Sequence, residues 1–195
     1  MVLRNLTING AKQAGTGGDH GITIIKASQV HVQNVDIENF SNEGINVDAA
    51  DVVSVFVDNS MLSRVSTAIR TTTTSGFVVL NANRLSVQGN TNGVNAVANT
   101  FATIRDSYFG GNLGGTNGAV RAGSGSTVNI ENSMFSNNAI AVNSNAGGIV
   151  RISNNSFYNN TTALTGSGTI ATAINSNKFG GNGSDGTTND VIVLK

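Results

Sequence analysis

Residues 150–164, "VRISNNSFYNNTTAL", set four asparagines and two threonines among apolar residues that recur at fixed intervals. Val150 and Ile152 alternate with polar neighbours, the period of two expected of a strand. Asn154 ends that alternation, and Phe157 follows three residues later. The same frame, apolar-x-Asn-x-x-apolar, returns along the chain as "LRNLTI" (3–8), "VQNVDI" (32–37), "VDNSML" (57–62), "LNANRL" (80–85), "IRDSYF" (104–109), "IENSMF" (130–135), "ISNNSF" (152–157) and "INSNKF" (174–179). Its third position reads Asn5, Asn34, Asn59, Ala82, Asp106, Asn132, Asn154 and Ser176, with successive spacings of 29, 25, 23, 24, 26, 22 and 22 residues. Eight frames with a period near 24 make an internal repeat, and each unit is too short to close a core by itself.

A second column follows the first. Small-then-aliphatic pairs stand at Gly21-Ile22, Gly44-Ile45, Ala68-Ile69, Gly93-Val94, Ala119-Val120, Ala139-Ile140 and Ala163-Leu164, with Val191 at the eighth place. Upstream of the frame, Val30, Val55, Val78, Val128 and Val150 continue the alternation, and no helical spacing of apolar residues survives. Each repeat therefore reads as two or three short strands joined by tight turns. Stacked coil on coil at about 4.8 Å, such units form parallel sheets around one apolar column. Phe109, Phe135, Phe157 and Phe179 would stack within it, and the absence of proline suits ladders that need every donor.

The frame asparagine is architectural in this reading. It should point into the turn, where its amide bonds the amide one coil away and satisfies turn backbone groups that are costly to bury unpaired. Asparagine also tolerates left-handed backbone at turns. Asp106 and Ser176 can serve in part, whereas Ala82 should be a local weak point.

Composition narrows the function classes. The 195 residues suit one domain, with 29 Asn, 24 Gly, no Cys, 11% charged residues and a formal net charge of zero. There is no disulfide framework and no thiolate metal site. A neutral balance argues against nucleic acid or anionic lipid as partner. No apolar run approaches the ~20 residues of a membrane span. The start, "MVLRNLTING", lacks the apolar core of a signal peptide.

These columns, and phrases such as "VNIENSMFSNNAIAV" (128–142) and "VRISNNSFYNN" (150–160), resemble the right-handed parallel β-helix proteins of the pectate-lyase-like superfamily and its repeat-only bacterial members. The resemblance covers residues 2–193. It implies an all-β fold, a single right-handed parallel β-helix of about eight coils over residues 1–195. Activity does not follow from fold, because such coils carry lyases, hydrolases, epimerases and non-catalytic surface proteins alike. Extracellular or cell-surface localisation is likewise only implied.

By resemblance, a lyase would need acidic calcium ligands on neighbouring coils, since calcium takes several oxygens at one place. The column before the frame asparagine reads Arg4, Gln33, Asp58, Asn81, Arg105, Glu131, Ser153, Asn175, and the one two after it Thr7, Asp36, Met61, Arg84, Tyr108, Met134, Ser156, Lys178. Neither holds acids on adjacent coils, and Arg105 with Glu131 reads as a surface ion pair. Related hydrolases imply paired aspartates and Gly-His-Gly, to which only "GGDHG" (17–21) is similar. There Asp19 and His20 meet Glu43 one coil on, the one acid–base cluster the register offers. The plainer reading of this stretch is an excursion loop with a polar tip. His31 should lie outward beside Phe56. Arg70 and Arg121 share a column with Asn95 between them; solvated arginines are the plain reading, a receiver for a carboxylated sugar the functional one. The run "TTTTSG" (71–76) lacks the coil-to-coil register of a threonine array.

No catalytic residue, metal ligand or cofactor is assigned on this basis. The expected function is a non-enzymatic rigid scaffold contacting carbohydrate, and the alternative a polysaccharide-active enzyme using Asp19, His20 and Glu43 or parts outside this chain. The first frame begins close to Met1, so the chain is expected to be a segment lacking its native N-terminal cap. Open strand edges there invite weak end-to-end self-association. The insertion at 9–20 can fold over the first coil, and "VIVLK" (191–195) can form a last strand closed by Lys195.

Overall fold

The computed structural model describes residues 1–11, 17–173 and 175–192. They form a parallel β-solenoid of about seven turns with no helix among them. The eight frames delimit those seven turns, because each frame marks one level of the same face. Lys195 and Ile174 lie outside the described residues.

Three stacks of strands run along the solenoid. The long strand Gln29–Glu38 carries two of them: one continues through Val53–Asp58, Val78–Asn83, Thr100–Arg105, Thr127–Glu131, Ile149–Ser153, Thr169–Ala173 and Asp190–Ile192. The other continues through Met61–Ser63, Ser86–Gln88, Tyr108–Gly110, Met134–Ser136, Ser156–Tyr158 and Lys178–Gly180. The third stack is Ile22–Ile24, Glu43–Ala49, Thr67–Thr73, Asn92–Ala96, Val120–Ala122, Ile140–Ser144 and Thr162–Gly166. All pairings are parallel.

Because side chains alternate, each stack sends one set of columns inward. Val32, Val57, Ala82, Ile104, Ile130 and Ile152 form one buried column, and Ile22, Ile45, Ile69, Val94, Val120, Val142 and Leu164 another. Between them the expected aromatic stack is present: Phe109 to Phe135, Phe135 to Phe157 and Phe157 to Phe179 have ring centroids 4.9, 5.0 and 5.0 Å apart and nearly parallel planes. That spacing is the strand separation itself, so the ladder dictates the stacking.

The corners explain the asparagines. Asn5, Asn34, Asn59, Arg84, Asp106, Asn132, Asn154 and Asn175 all have φ between 46° and 55°, the left-handed region. A second corner, five residues on and six in the last coil, repeats this at Asn39, Arg64, Gly89, Gly111, Asn137, Asn159 and Gly181. These residues turn the chain, and asparagine and glycine dominate because they enter that region at least steric cost. The frame amides do bond coil to coil, Asn34 Nδ2 to Asn5 Oδ1 at 2.8 Å and Asn154 Nδ2 to Asn132 Oδ1 at 3.2 Å, but they are exposed.

The buried ladder lies one residue further along. At the first corner it reads Val35, Ser60, Leu85, Ser107, Ser133, Asn155, and at the second Phe40, Val65, Asn90, Asn112, Asn138, Asn160. Asn138 is typical: Nδ2 donates to Phe109 O and to Asn160 Oδ1, while Oδ1 accepts from the backbone N–H and the side-chain amide of Asn112. Each Asn-Asn pair in "VRISNNSFYNN" thus divides its work, the first residue bending the backbone and the second satisfying it. The inward orientation expected of the frame asparagine is corrected to its neighbour.

Four assignments also change, the first being that Asn175, not Ser176, has the left-handed backbone in the last coil. Ala82 pairs with Val57 and Ile104 in the core column, so Arg84, not Ala82, occupies the corner of that coil, and Val78 pairs Val53 rather than Val55. The small-aliphatic pair of the sixth coil is Ala141-Val142 rather than Ala139-Ile140. Val191 pairs Thr172 on a different face, and Ser184, bridged to Thr162, leads the chain to Gly186 beside Leu164.

Candidate functional site

The acid–base cluster expected near the N-terminal end is assembled. Gly18, Asp19 and Gly21 run alongside Ser41, Asn42 and Glu43, with Ser41 N to Gly18 O at 2.9 Å, Asn42 N to Asp19 O at 3.1 Å and Gly21 N to Glu43 O at 3.0 Å. This places His20 and Glu43 on adjacent coils. His20 Nδ1 lies 2.8 Å from Glu43 Oε2, and His20 Nε2 lies 3.1 Å from Asp19 Oδ2. Glu43 and His20 are largely covered, whereas Asp19 is exposed and accepts from Asn42 Nδ2. Arg70 stands on the next coil with Nε 4.0 Å from Glu43 Oε1. His20 Nδ1 is buried, yet its approach to Glu43 lacks hydrogen-bond alignment.

The two ends of the 9–20 insertion meet on the Phe40 ring. Gly10 N bonds Glu38 O, Gly18 N bonds Gly10 O, and both glycines lie on the Phe40 ring. A Cβ at either would come within 2.7 Å of that ring, so glycine is needed here for close approach. The middle of the insertion, 12–16, lies outside the described residues.

Arg70 and Arg121 share an outward column on the third stack, which in full reads Thr23, Asn46, Arg70, Asn95, Arg121, Asn143, Thr165. Asn143 belongs in it, a consequence of the sixth-coil shift, where a pair at Ala139-Ile140 would have put Ala141. Arg70 Nη1 donates to Asn46 Oδ1 at 3.3 Å, and Arg121 Nη1 to Asn95 Oδ1 at 3.0 Å. With the Asn145 amide oxygen turned toward the guanidinium, it accepts from Arg121 Nη2 at 2.8 Å and Nε at 3.1 Å. Desolvation lowers the Arg121 pKa from its ordinary value.

Beside Arg121 runs an open groove of about 590 Å³ across four coils, from Val97 to Ser167. One wall contains Thr116, from a stretch where four extra residues separate Asn112 from Val120 relative to Asn138 and Val142. Asn143 Nδ2 ties that wall down by donating to Thr116 O at 2.7 Å.

Other expectations fall out plainly. His31 stacks on Phe56 with ring centroids 4.7 Å apart. Arg105 and Glu131 form an exposed pair at 3.3 Å. Thr71 turns inward and bonds Thr100 Oγ1 at 2.8 Å, so the threonine run makes no outward array. Among the described residues no group of three or more His, Asp or Glu is placed to hold a metal ion. Comparison of the chain with protein-family models, with curated proteins and with solved structures found no match.

Proposed function

We propose that this chain is a non-enzymatic, rigid β-solenoid scaffold that presents a polar lateral face to carbohydrate at the cell surface or outside the cell. The observation that carries this reading is the coil-to-coil bonding of the corners, continuous at the second from Val65 through Asn90, Asn112 and Asn138 to Asn160, and present at the first in two runs, Asn5 to Asn59 and Asp106 to Asn154, on either side of Arg84. Such a lattice holds surface groups in fixed register, as binding arrays require, and leaves little freedom for a closing active site. The resemblance to repeat-only right-handed parallel β-helix proteins supports the location.

A second reading rests on Asp19, His20 and Glu43, whose contact favours an enzyme acting on polysaccharide. Its difficulty is spatial. Two-carboxylate hydrolysis leaves the gap between the acids to sugar and water, and here the imidazole fills it. Pectate, polygalacturonate and alginate should therefore survive prolonged incubation with the protein, with or without calcium, when reducing ends and unsaturated products are followed. Turnover that disappears in both His20→Ala and Glu43→Ala would overturn the scaffold reading.

Among the described residues the strand Val2–Asn9 pairs on one side only, with Gln29–Glu38, and leaves Val2 and Leu6 exposed. Weak end-to-end association through this edge is the expected solution behaviour. Light scattering over a hundredfold concentration range should show the mean mass rising. A constant monomer mass up to millimolar protein would sink that idea.

A further inference from the structure

The sequence contains four Asn-Gly pairs: Asn9-Gly10, Asn92-Gly93, Asn117-Gly118 and Asn182-Gly183. In such a pair the glycine nitrogen can reach the carbonyl carbon of the asparagine side chain, because glycine has no Cβ to stand in the way. The attack needs a peptide unit that can turn and an amide that can meet it. Hydrogen bonds to either partner oppose it, since they must be broken first.

Three of the pairs are held. Gly10 N donates to Glu38 O at 2.9 Å, while the Asn9 amide bonds Glu38, Ala11 and Asn39. Gly183 N donates to Asn160 O at 2.9 Å, and the Asn182 amide bonds Asn160, Phe157 and Asp185. Gly93 N donates to Gly118 O at 3.2 Å, and Asn92 is buried, away from the water that the reaction consumes. Asn117 differs. It is half-exposed and lies in the stretch that is four residues longer than its counterpart one coil on. Among the described residues neither its side-chain amide, its carbonyl nor the Gly118 N–H has a hydrogen-bond partner of ordinary geometry. The flanking carbonyls are tied, Thr116 O to Asn143 Nδ2 at 2.7 Å and Gly118 O to Gly93 N. The peptide unit between them can thus turn by opposed changes in ψ of Asn117 and φ of Gly118 while the coil stays in place. Gly118 already has φ of 83°, and glycine admits the widest range there.

We propose that Asn117-Gly118 is a site of spontaneous covalent modification in the folded protein. The Gly118 nitrogen bonds to Asn117 Cγ, the Cγ–Nδ2 bond breaks, and ammonia leaves with the proton given up by the Gly118 nitrogen. Water then adds to either carbonyl carbon of the cyclic imide and opens it, leaving aspartate or isoaspartate. Isoaspartate inserts one more carbon into the main chain between the two tied carbonyls. Either product adds a negative charge to a chain whose formal net charge is zero. The step is irreversible, so the acidic fraction records the age of the molecule.

Trypsin separates the four pairs into peptides 5–12, 85–105, 106–121 and 179–195. After storage of the intact protein in mildly alkaline buffer, mass spectrometry should find a gain of one mass unit in 106–121. That gain should appear at least about tenfold faster than in the other three, the ratio given by a barrier difference of about 1.4 kcal/mol. Fragmentation should place it on Asn117 rather than Asn112, whose amide is bonded to Val87 O and Asn138 Oδ1. In protein kept in denaturant the four rates should converge, which isolates the protection that the fold supplies. Asn117→Gln, whose longer side chain disfavours the ring, should abolish the gain in 106–121 without changing the melting curve. Equal rates at all four pairs in the folded protein would overturn the proposal, as would a gain that persists in Asn117→Gln. So would an unmodified Asn117 in folded protein after the denatured sample has reacted fully.

Discussion

Phe135→Ala should lower stability by about 4 kcal/mol, as truncation of a buried aromatic ring does. Phe135 is fully buried and stacks on both neighbours, Phe109 at 4.9 Å and Phe157 at 5.0 Å. The hole cannot collapse readily, because the strands on either side are held at ladder spacing by backbone bonds from coil to coil. For a chain of this size that loss corresponds to about 10 °C in melting temperature. Phe179→Ala is the control. Phe179 has one ring neighbour and retains 38% of its exposure, so its truncation should cost less than half as much. Chemical denaturation of the two variants decides. Equal losses would mean that the stack is not the axis of the core.

The second large effect separates the two asparagine ladders. Asn138→Leu keeps volume but removes the partners of the Asn112 backbone N–H and the Phe109 carbonyl, both deep in the corner. Each unpaired buried group costs about 1–3 kcal/mol, so a total near 3 kcal/mol is expected. Asn132→Leu alters an exposed corner residue with φ of 50°. It gives up solvated amide bonds to Asp106 and Asn154 and adds left-handed strain, together about 1–2 kcal/mol. Thermal melts of the pair should differ by several degrees, with Asn138→Leu the weaker. The reverse order would place the buried ladder in the frame column after all.

The ease of seeing this fold in the sequence came from residues whose identity repeats with burial. Phenylalanine at 109, 135, 157 and 179 can occupy successive coils in only one way, and the small-aliphatic pairs mark the opposite wall. The asparagines were harder. In "SNN" and "YNN" two adjacent amides share one corner, and a pattern that counts asparagines settles on the left-handed one because it recurs most regularly. Ala82 and Ala139 show a different limit. A shift of two residues preserves which side chains face inward, so alternation cannot expose the error. Distance from the core stack can: Val87 is five residues after Ala82 as Phe109 is after Ile104, and Phe135 is seven before Val142 as Phe157 is before Leu164.

The candidate sites divide in the same way. Asp19, His20 and Glu43 were legible because two of them precede the Gly-Ile pairs that set register. The setting of Arg121 was not, since Asn143 was displaced by the misplaced pair, and Thr116 sits in extra residues that follow no period. Insertions break the very regularity from which a repeat is read.

The two-cornered ladder also makes the molecule mechanically anisotropic. Every inter-coil bond lies along the long axis, and the covalent chain advances in the same direction only one coil per turn. Sideways bending loads the bonds of a whole cross-section together, whereas tension on the chain ends meets them singly, as a zipper does. A terminal turn can therefore come away while the rest stays closed. For the 22-residue turn between Asn160 and Asn182 this would release about 70 Å of extended chain. The rod is stiff as a body and compliant as a thread.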